Sequence, residues 1–261
     1  MKRFCFMTAI FSMALFTSEM VNAKTLLNHS DDDCIVKPLE KKLTKVGKLA
    51  NLAKAEDDTW FSTENKDLEG LYEISIEEDE KAGTYAKLTF KSTYINGKQK
   101  RTDWNKVILG YTHKDDIDKG VYKVSMKIKS NKTDNKGNKG KGNITFVVRN
   151  GENTASYAIA NPKDNAPGEY RGTRINKAPK AADTWENFTF FIDFNQILEG
   201  RPVTKLDNGQ QFANVDDDEI EDFTLIIFGY NIAGPKTAKE GITEVTSTTC
   251  IADLKITPYK K

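Results

Sequence analysis

From Trp60 onward, apolar and polar residues alternate with a period of two, the spacing of a strand with one buried face. In "LYEISIEED", Tyr72, Ile74 and Ile76 alternate with Glu73, Ser75 and Glu77. In "TYAKLTFKS", Tyr85, Lys87 and Thr89 stand opposite Ala86, Leu88 and Phe90. The clearest case is "GVYKVSMKIKS", where Tyr122, Val124, Met126 and Ile128 interleave with Val121, Lys123, Ser125, Lys127 and Lys129. "KVILGYTH", "ITFVVRN", "SYAIA", "FTFFIDF", "FTLIIFGYN" and "CIADLKITPYK" supply further strands. Polar Gly/Asn/Lys turns and the Pro- and Gly-bearing stretch 161–183 separate them. About nine short strands with little helix predict an all-β fold, an antiparallel two-sheet β-sandwich.

The stretch "TWENFTFFIDFNQILEG", 184–200, holds four phenylalanines and a tryptophan. On a pleat, Phe188, Phe190, Ile192 and Phe194 share one face, which suits the inner wall of a sandwich. Phe191 falls with Thr189 and Asp193 on the other face, and a loop or the N-terminal arm is expected to cover it. Trp185, at the strand entrance, is expected to pack at the core or its edge.

Before Trp60 the pattern changes. Leu39, Leu43, Val46 and Ala50 recur at three- and four-residue steps, interrupted by Pro38 and Gly47. This predicts a short helix or an irregular arm over 24–54, ahead of a domain over 55–261. At the start of the chain, Lys2 and Arg3 precede a short apolar run, Phe4 to Phe16, and Val21-Asn22-Ala23 offers small residues to a signal peptidase. Residues 1–23 are therefore expected to be a secretory signal cleaved after Ala23, with export to the periplasm or beyond. Cys5 comes too early for a lipoprotein, and the run before Cys34 is acidic.

Charge narrows the partners. Removing Lys2, Arg3 and Glu19 turns 39 basic and 38 acidic residues into 37 and 37, so the exported chain is formally neutral. Interspersed charges on a neutral chain give no basis for nucleic-acid binding or a polybasic membrane contact, and no membrane span is expected. A monomer is expected. Two cysteines follow the leader, Cys34 and Cys250. In an oxidising compartment they are expected to form one disulfide, with a model-dependent benefit of up to about 4–5 kcal/mol; the alternative is two thiols with Cys250 buried.

Five segments in order resemble the carbohydrate-binding modules of families 4 and 9 and their galactose-binding-like jelly-roll relatives. They are "AEDDTWFST", "TDWNKVILGYT", "DKGVYKVSMKIKS", "DTWENFTFFIDF" and "IADLKITP", together spanning about 200 residues. The resemblance implies a jelly-roll β-sandwich in an exported bacterial protein, a glycan-binding groove and often a structural calcium. The sequence departs from it at Ile108, where the family often carries a sugar-bonding Gln.

A glycan site needs an aromatic plate for the C–H face of a pyranose and polar groups for its hydroxyls. Trp60 and Trp104 lie in polar contexts, "DDTWFS" and "RTDWNK"; Arg149 and Tyr157, on successive strands, can neighbour one another. These four are the carbohydrate-binding candidates, ahead of Tyr111 and Tyr170. Asp253, inside an apolar strand, needs a partner, and with Glu56 and Asp57 it is the candidate calcium set. The acidic run 216–222 lacks EF-hand spacing and reads as a solvated turn.

Catalytic motifs are missing. Only His29 and His113 occur, there is no G-x-S-x-G, and "GNKGKGN" lacks the ending of a P-loop. The expected function is non-catalytic recognition of a poly- or oligosaccharide. The alternatives are a glycan-active hydrolase or lyase on the same fold, with a carboxylate pair, and a structural or adhesive surface protein without a small ligand.

Overall fold

Along Val121–Asp134 the sequence alternation becomes alternation of burial: Tyr122, Val124, Met126, Ile128 and Ser130 are buried, and the residues between them half-buried. A computed structural model describes residues 34–46, 58–63, 69–96, 98–99, 108–152, 154–163, 166–230 and 241–260. Ile35–Lys261 forms one compact unit; of the other, Met1–Cys34, only Cys34 is described.

The strands are β1 (Thr44–Val46), β2 (Thr59–Thr63), β3 (Tyr72–Asp79), β4 (Gly83–Ile95), β5 (Lys98–Gln99) and β6 (Leu109–His113). Next come β7 (Ile117–Asp118), β8 (Val121–Asp134), β9 (Lys139–Gly140), β10 (Asn143–Asn150), β11 (Ala155–Lys163) and β12 (Ala166–Gly172). The last are β13 (Arg174–Lys177), β14 (Glu186–Glu199), β15 (Ala213–Asn214), β16 (Glu219–Ile220), β17 (Phe223–Tyr230) and β18 (Ile242–Pro258). No helix occurs among the described residues, and so none there is long and apolar enough to cross a membrane.

The all-β expectation holds, but the expected pair of separate antiparallel sheets is replaced by one curled, mixed sheet. Its order is β1-β2-β6-β17-β10-β11-β14-β8-β18-β4-β3, with β16 and β7 forming a separate pair. The sheet is continuous because β11 meets β10 at Arg149↔Ser156 and pairs with β14 on its other side. It is mixed because β1 lies parallel to β2, with Thr44 opposite Phe61. Within the described residues 34–46 the arm is irregular chain ending in a strand, with no helix, and Val46 buries its side chain there.

Curling brings β10 and β17 over β14. Phe146 meets Phe188 and Phe190 at centroid distances of 5.4 and 5.5 Å, and Phe223 meets Phe194 at 5.2 Å. The four-residue face of "FTFFIDF" is therefore core, each ring contributing about 1.5–3 kcal/mol on burial. Phe191, facing the other way, is also fully buried, and Tyr259 of the C-terminal segment stands edge-on to it at 5.0 Å.

Candidate functional site

β18 is hydrogen-bonded to β4 on one side and β8 on the other, and its register builds a trough. Cys250 lies between Lys87 and Lys129, Ala252 between Tyr85 and Lys127, and Thr248 between Thr89 and Asn131. Because side chains alternate across a pleat, these nine residues share one face, opposite Ala86, Leu88, Ile128 and Ile251 in the core. Small side chains down the middle strand form the floor, and longer ones on the two flanking strands form the walls. Two adjoining cavities result, of about 510 Å³ beside Asp79, Lys81, Asp183 and Trp185 and about 250 Å³ over Cys250, with Lys129 and Asp183 common to both.

Trp185 closes one end. It is half-buried and meets Tyr85 edge to face, with centroids 5.3 Å apart and planes at 79°. Both rings pack against Ala82, Cys250 and Ala252, a small apolar cluster on an otherwise polar face. The Tyr85 hydroxyl donates to Glu77 Oε2 at 2.6 Å, while Lys87 Nζ and Ser75 Oγ donate to Oε1 at 2.9 and 3.0 Å. The Tyr85 bond first, then the Lys87 bond, holds the Glu77 carboxyl down at about 2, and Tyr85 is pushed up in return.

Asp79 accepts from the Lys81 and Ala82 backbone N–H groups at 2.8 and 3.2 Å and faces Lys129 Nζ at 3.5 Å. Its carboxyl is held at about 2, foremost by the Trp185 indole N–H, then by the Lys81 N–H. That indole N–H is buried without a well-formed hydrogen bond, so its contact with Asp79 is near enough to favour the anion but poorly aligned. On the far wall Asn131 Nδ2 donates to Asp183 Oδ1. Asp183 adopts φ 57°, in the left-handed region, and its backbone N–H bonds Ser130 O at 3.1 Å. Burial pushes the Cys250 thiol up to about 12, so the floor of the trough is a neutral thiol with little nucleophilic character.

Of the carbohydrate candidates drawn from sequence, Trp60, Arg149 and Tyr157 are described and all three are buried, Arg149 standing opposite Ser156, the neighbour of Tyr157. Trp60 is only 6 % exposed. Its indole N–H donates to Lys37 O at 3.1 Å, and its ring meets Tyr111 edge-on at 5.7 Å. Lys37 is held further: its N–H donates to the Tyr111 hydroxyl at 3.1 Å and its ammonium reaches Asp58 Oδ2 at 3.2 Å. Asp58 in turn faces His113 Nδ1 at 2.5 Å. Trp60 thus clasps the N-terminal strap, and its plate is turned into the protein. Arg149 is 9 % exposed and donates to Gly200 O at 3.2 Å. Tyr157 is 4 % exposed and stands edge-on to Phe194 at 4.8 Å. Trp104 lies outside the described residues, as does the side chain of Tyr170.

Asp253 sits at a bulge in β18, with φ 51°, exposed and 3.9 Å from Lys127 Nζ. An ammonium neighbour favours an ion pair over a calcium ligand there, and Glu56 and Asp57 lie outside the described residues. No group of three or more His, Cys, Asp or Glu suited to a metal occurs among the described residues. The expected disulfide is corrected: Cys34 and Cys250 are not joined, and Cys250 is instead packed as a thiol beneath Tyr85 and Trp185.

Sequence reasoning missed the trough, although half of its signal was visible. The polar side of "TYAKLTFKS" carries a tyrosine among Lys and Thr, and "TSTTCIADLK" carries small residues at alternate positions. What pattern could not supply was the pairing of the two.

No family model and no curated protein matches the chain. Among solved structures, it is similar to a protein of Bacteroides thetaiotaomicron provisionally assigned as sugar binding. That similarity has a TM-score of 0.61 at 20 % identity and covers 87 % of this chain and all of the other. It shows a shared fold. Weaker likenesses include a family 4 carbohydrate-binding module (TM-score 0.32, 15 % identity, 79 % of this chain and 91 % of the other). Another is a family 11 module from Clostridium thermocellum in complex with a β-1,3-1,4-mixed-linked tetrasaccharide (0.33, 14 %, 77 % and 90 %). Likenesses of that size carry no weight for function.

Proposed function

We propose that this chain is an exported, non-catalytic carbohydrate-binding protein with a jelly-roll sandwich fold, and that it takes a poly- or oligosaccharide along the trough of β18. The observation that carries the reading is the trough itself. A floor of Ala252, Cys250 and Thr248 leaves room for a flat chain; Tyr85 and Trp185 offer apolar ring surface at one end; Lys87, Thr89, Lys127, Asn131 and Asp183 offer hydroxyl partners along the walls. The solved protein sharing this fold, provisionally assigned as sugar binding, agrees with it.

Glu77 and Asp79 do not supply the proton donor of a hydrolase. A carboxylate-pair glycosidase keeps one carboxyl protonated by raising its pKa. Glu77 and Asp79 are both held at about 2, so both are anions across the physiological range.

The test is a glycan array followed by calorimetry on the mature chain from Lys24, with Trp185→Ala, Tyr85→Ala and Trp104→Ala variants. Binding of at least one neutral polysaccharide that Trp185→Ala removes is the expected result. No binding on the array, or binding indifferent to both Trp185 and Tyr85, overturns the proposal.

A further inference from the structure

The trough's aromatic corner is already filled by the protein itself. Tyr85 and Trp185 stand nearly perpendicular, and the Lys129 ammonium lies over both rings, 5.1 Å from the Tyr85 centroid and 4.5 Å from that of Trp185. Asp79 Oδ2, 3.5 Å from Nζ, supplies the counter-charge. Two perpendicular ring faces and a carboxylate are the elements of an ammonium-binding cage. Here the occupant is tethered, because Lys129 rises from β8, diagonal to Tyr85 of β4 with β18 between them. The ring surface a pyranose would stack on is the surface this ammonium covers.

We propose that Lys129 gates the trough: a neutral glycan stacks on Trp185 only when the Lys129 ammonium leaves the Tyr85–Trp185 corner, and Asp79 is the tether that returns it. This rests on the carbohydrate-binding reading for its ligand, but the gate has a readout of its own. The Lys129–Asp79 pair is partly solvated, with side chains 19 % and 25 % exposed, so added salt loosens it. Contacts to an uncharged sugar have no such sensitivity.

The probes are mixed-linkage β-1,3-1,4-glucan, xylan and glucomannan, titrated calorimetrically into the mature protein. Lys129→Ala is expected to tighten binding of whichever is recognised by about three- to tenfold, the scale of one partly exposed cation–π contact. Lys129→Met, which keeps the apolar stem, serves if the alanine variant is unstable. Asp79→Asn should tighten binding in the same direction, although it deletes a charged group from the groove. Raising NaCl should strengthen binding by the wild type and leave Lys129→Ala unchanged. Independently of any glycan, acrylamide should quench tryptophan emission more in Lys129→Ala than in wild type, a difference that vanishes in a Trp185→Phe background. Weaker or unchanged affinity in the Lys129 variants, or unchanged quenching, overturns the gate. If no polysaccharide binds any variant while quenching rises as described, the carbohydrate reading falls and the gate with it, leaving only Lys129 as a cover over Trp185.

Discussion

The Trp60 indole N–H donates to the backbone carbonyl of Lys37 at 3.1 Å, and this bond joins a strap ahead of the first strand to β2, the strand beside the β1 edge of the sheet. Around it the Tyr111 hydroxyl receives the Lys37 N–H, Asp58 receives the Lys37 ammonium, and the Ile35 N–H donates to Ile256 O at 3.0 Å. Trp60 is therefore a structural residue. Trp60→Ala should destabilise the fold by about 3–5 kcal/mol, the usual cost of emptying a buried aromatic site. Trp60→Phe should cost nearer ~1 kcal/mol, for the lost hydrogen bond. Denaturant melts measure both, and glycan affinity of the folded Phe variant should match the wild type.

Trp185 and Tyr85 should behave in the opposite way. Trp185→Ala leaves the inner wall of Phe188, Phe190 and Phe194 in place, so a small shift in melting temperature is expected. Affinity should fall at least about tenfold, or ~1.4 kcal/mol. A loss of stability comparable with that of Trp60→Ala would show that Trp185 is a core residue.

Acid should release the strap. Burial pushes the Asp58 carboxyl up, but the Lys37 hydrogen bond and the His113 contacts outweigh this, and it lies below its ordinary value of 3.8. A depressed carboxylate contributes stability above its unfolded value and loses that contribution as pH falls through the folded value. Wild-type melting temperature should thus decline as pH drops below about 4. Asp58→Asn should be less stable than wild type at neutral pH and show a shallower decline. Parallel pH profiles would exclude Asp58 as a source of the acid sensitivity.

Reductant should leave the protein untouched. Cys34 and Cys250 are not bonded to each other, so dithiothreitol should not lower the melting temperature of protein produced from Lys24 onward. Thiol titration after denaturation should count two groups. A drop of several degrees on reduction would reveal a disulfide in solution.

Gly110 is required for close approach. A Cβ there would stand 2.5 Å from Phe61 Cζ and 2.6 Å from Leu225 O, so β2 and β17 crowd it from side chain and backbone. Gly110→Ala should destabilise by about 1–3 kcal/mol, the range for overpacking a core. An unchanged melt would mean that Phe61 and its neighbours Val46, Ile108, Val147 and Ile226 repack freely.

Pattern alone assigns each strand's side chains to a face, because the pleat alternates them by covalent geometry whatever the neighbours are. Phe188, Phe190, Ile192 and Phe194 were legible as core for that reason, and Tyr85, Lys87 and Thr89 as one row opposite Ala86, Leu88 and Phe90. The strands themselves and the aromatic wall of the core were within reach of local pattern on the same ground. Flanking polarity misled at Trp60: the acids before it are local, but Lys37 and Tyr111, which bury it, lie 23 and 51 positions away. Which rows stand side by side is likewise decided by long-range pairing. Cys250 meets Lys87 and Lys129, residues more than a hundred positions distant, because β18 inserts between β4 and β8 in one register. A shift by one residue would turn Cys250 inward and Ile251 out to solvent, so burial of Ile251 and its neighbours selects that register. From that selection come the small residues of one strand lying between long residues of two others, the trough that Trp185 closes, and the place of Lys129 in its aromatic corner.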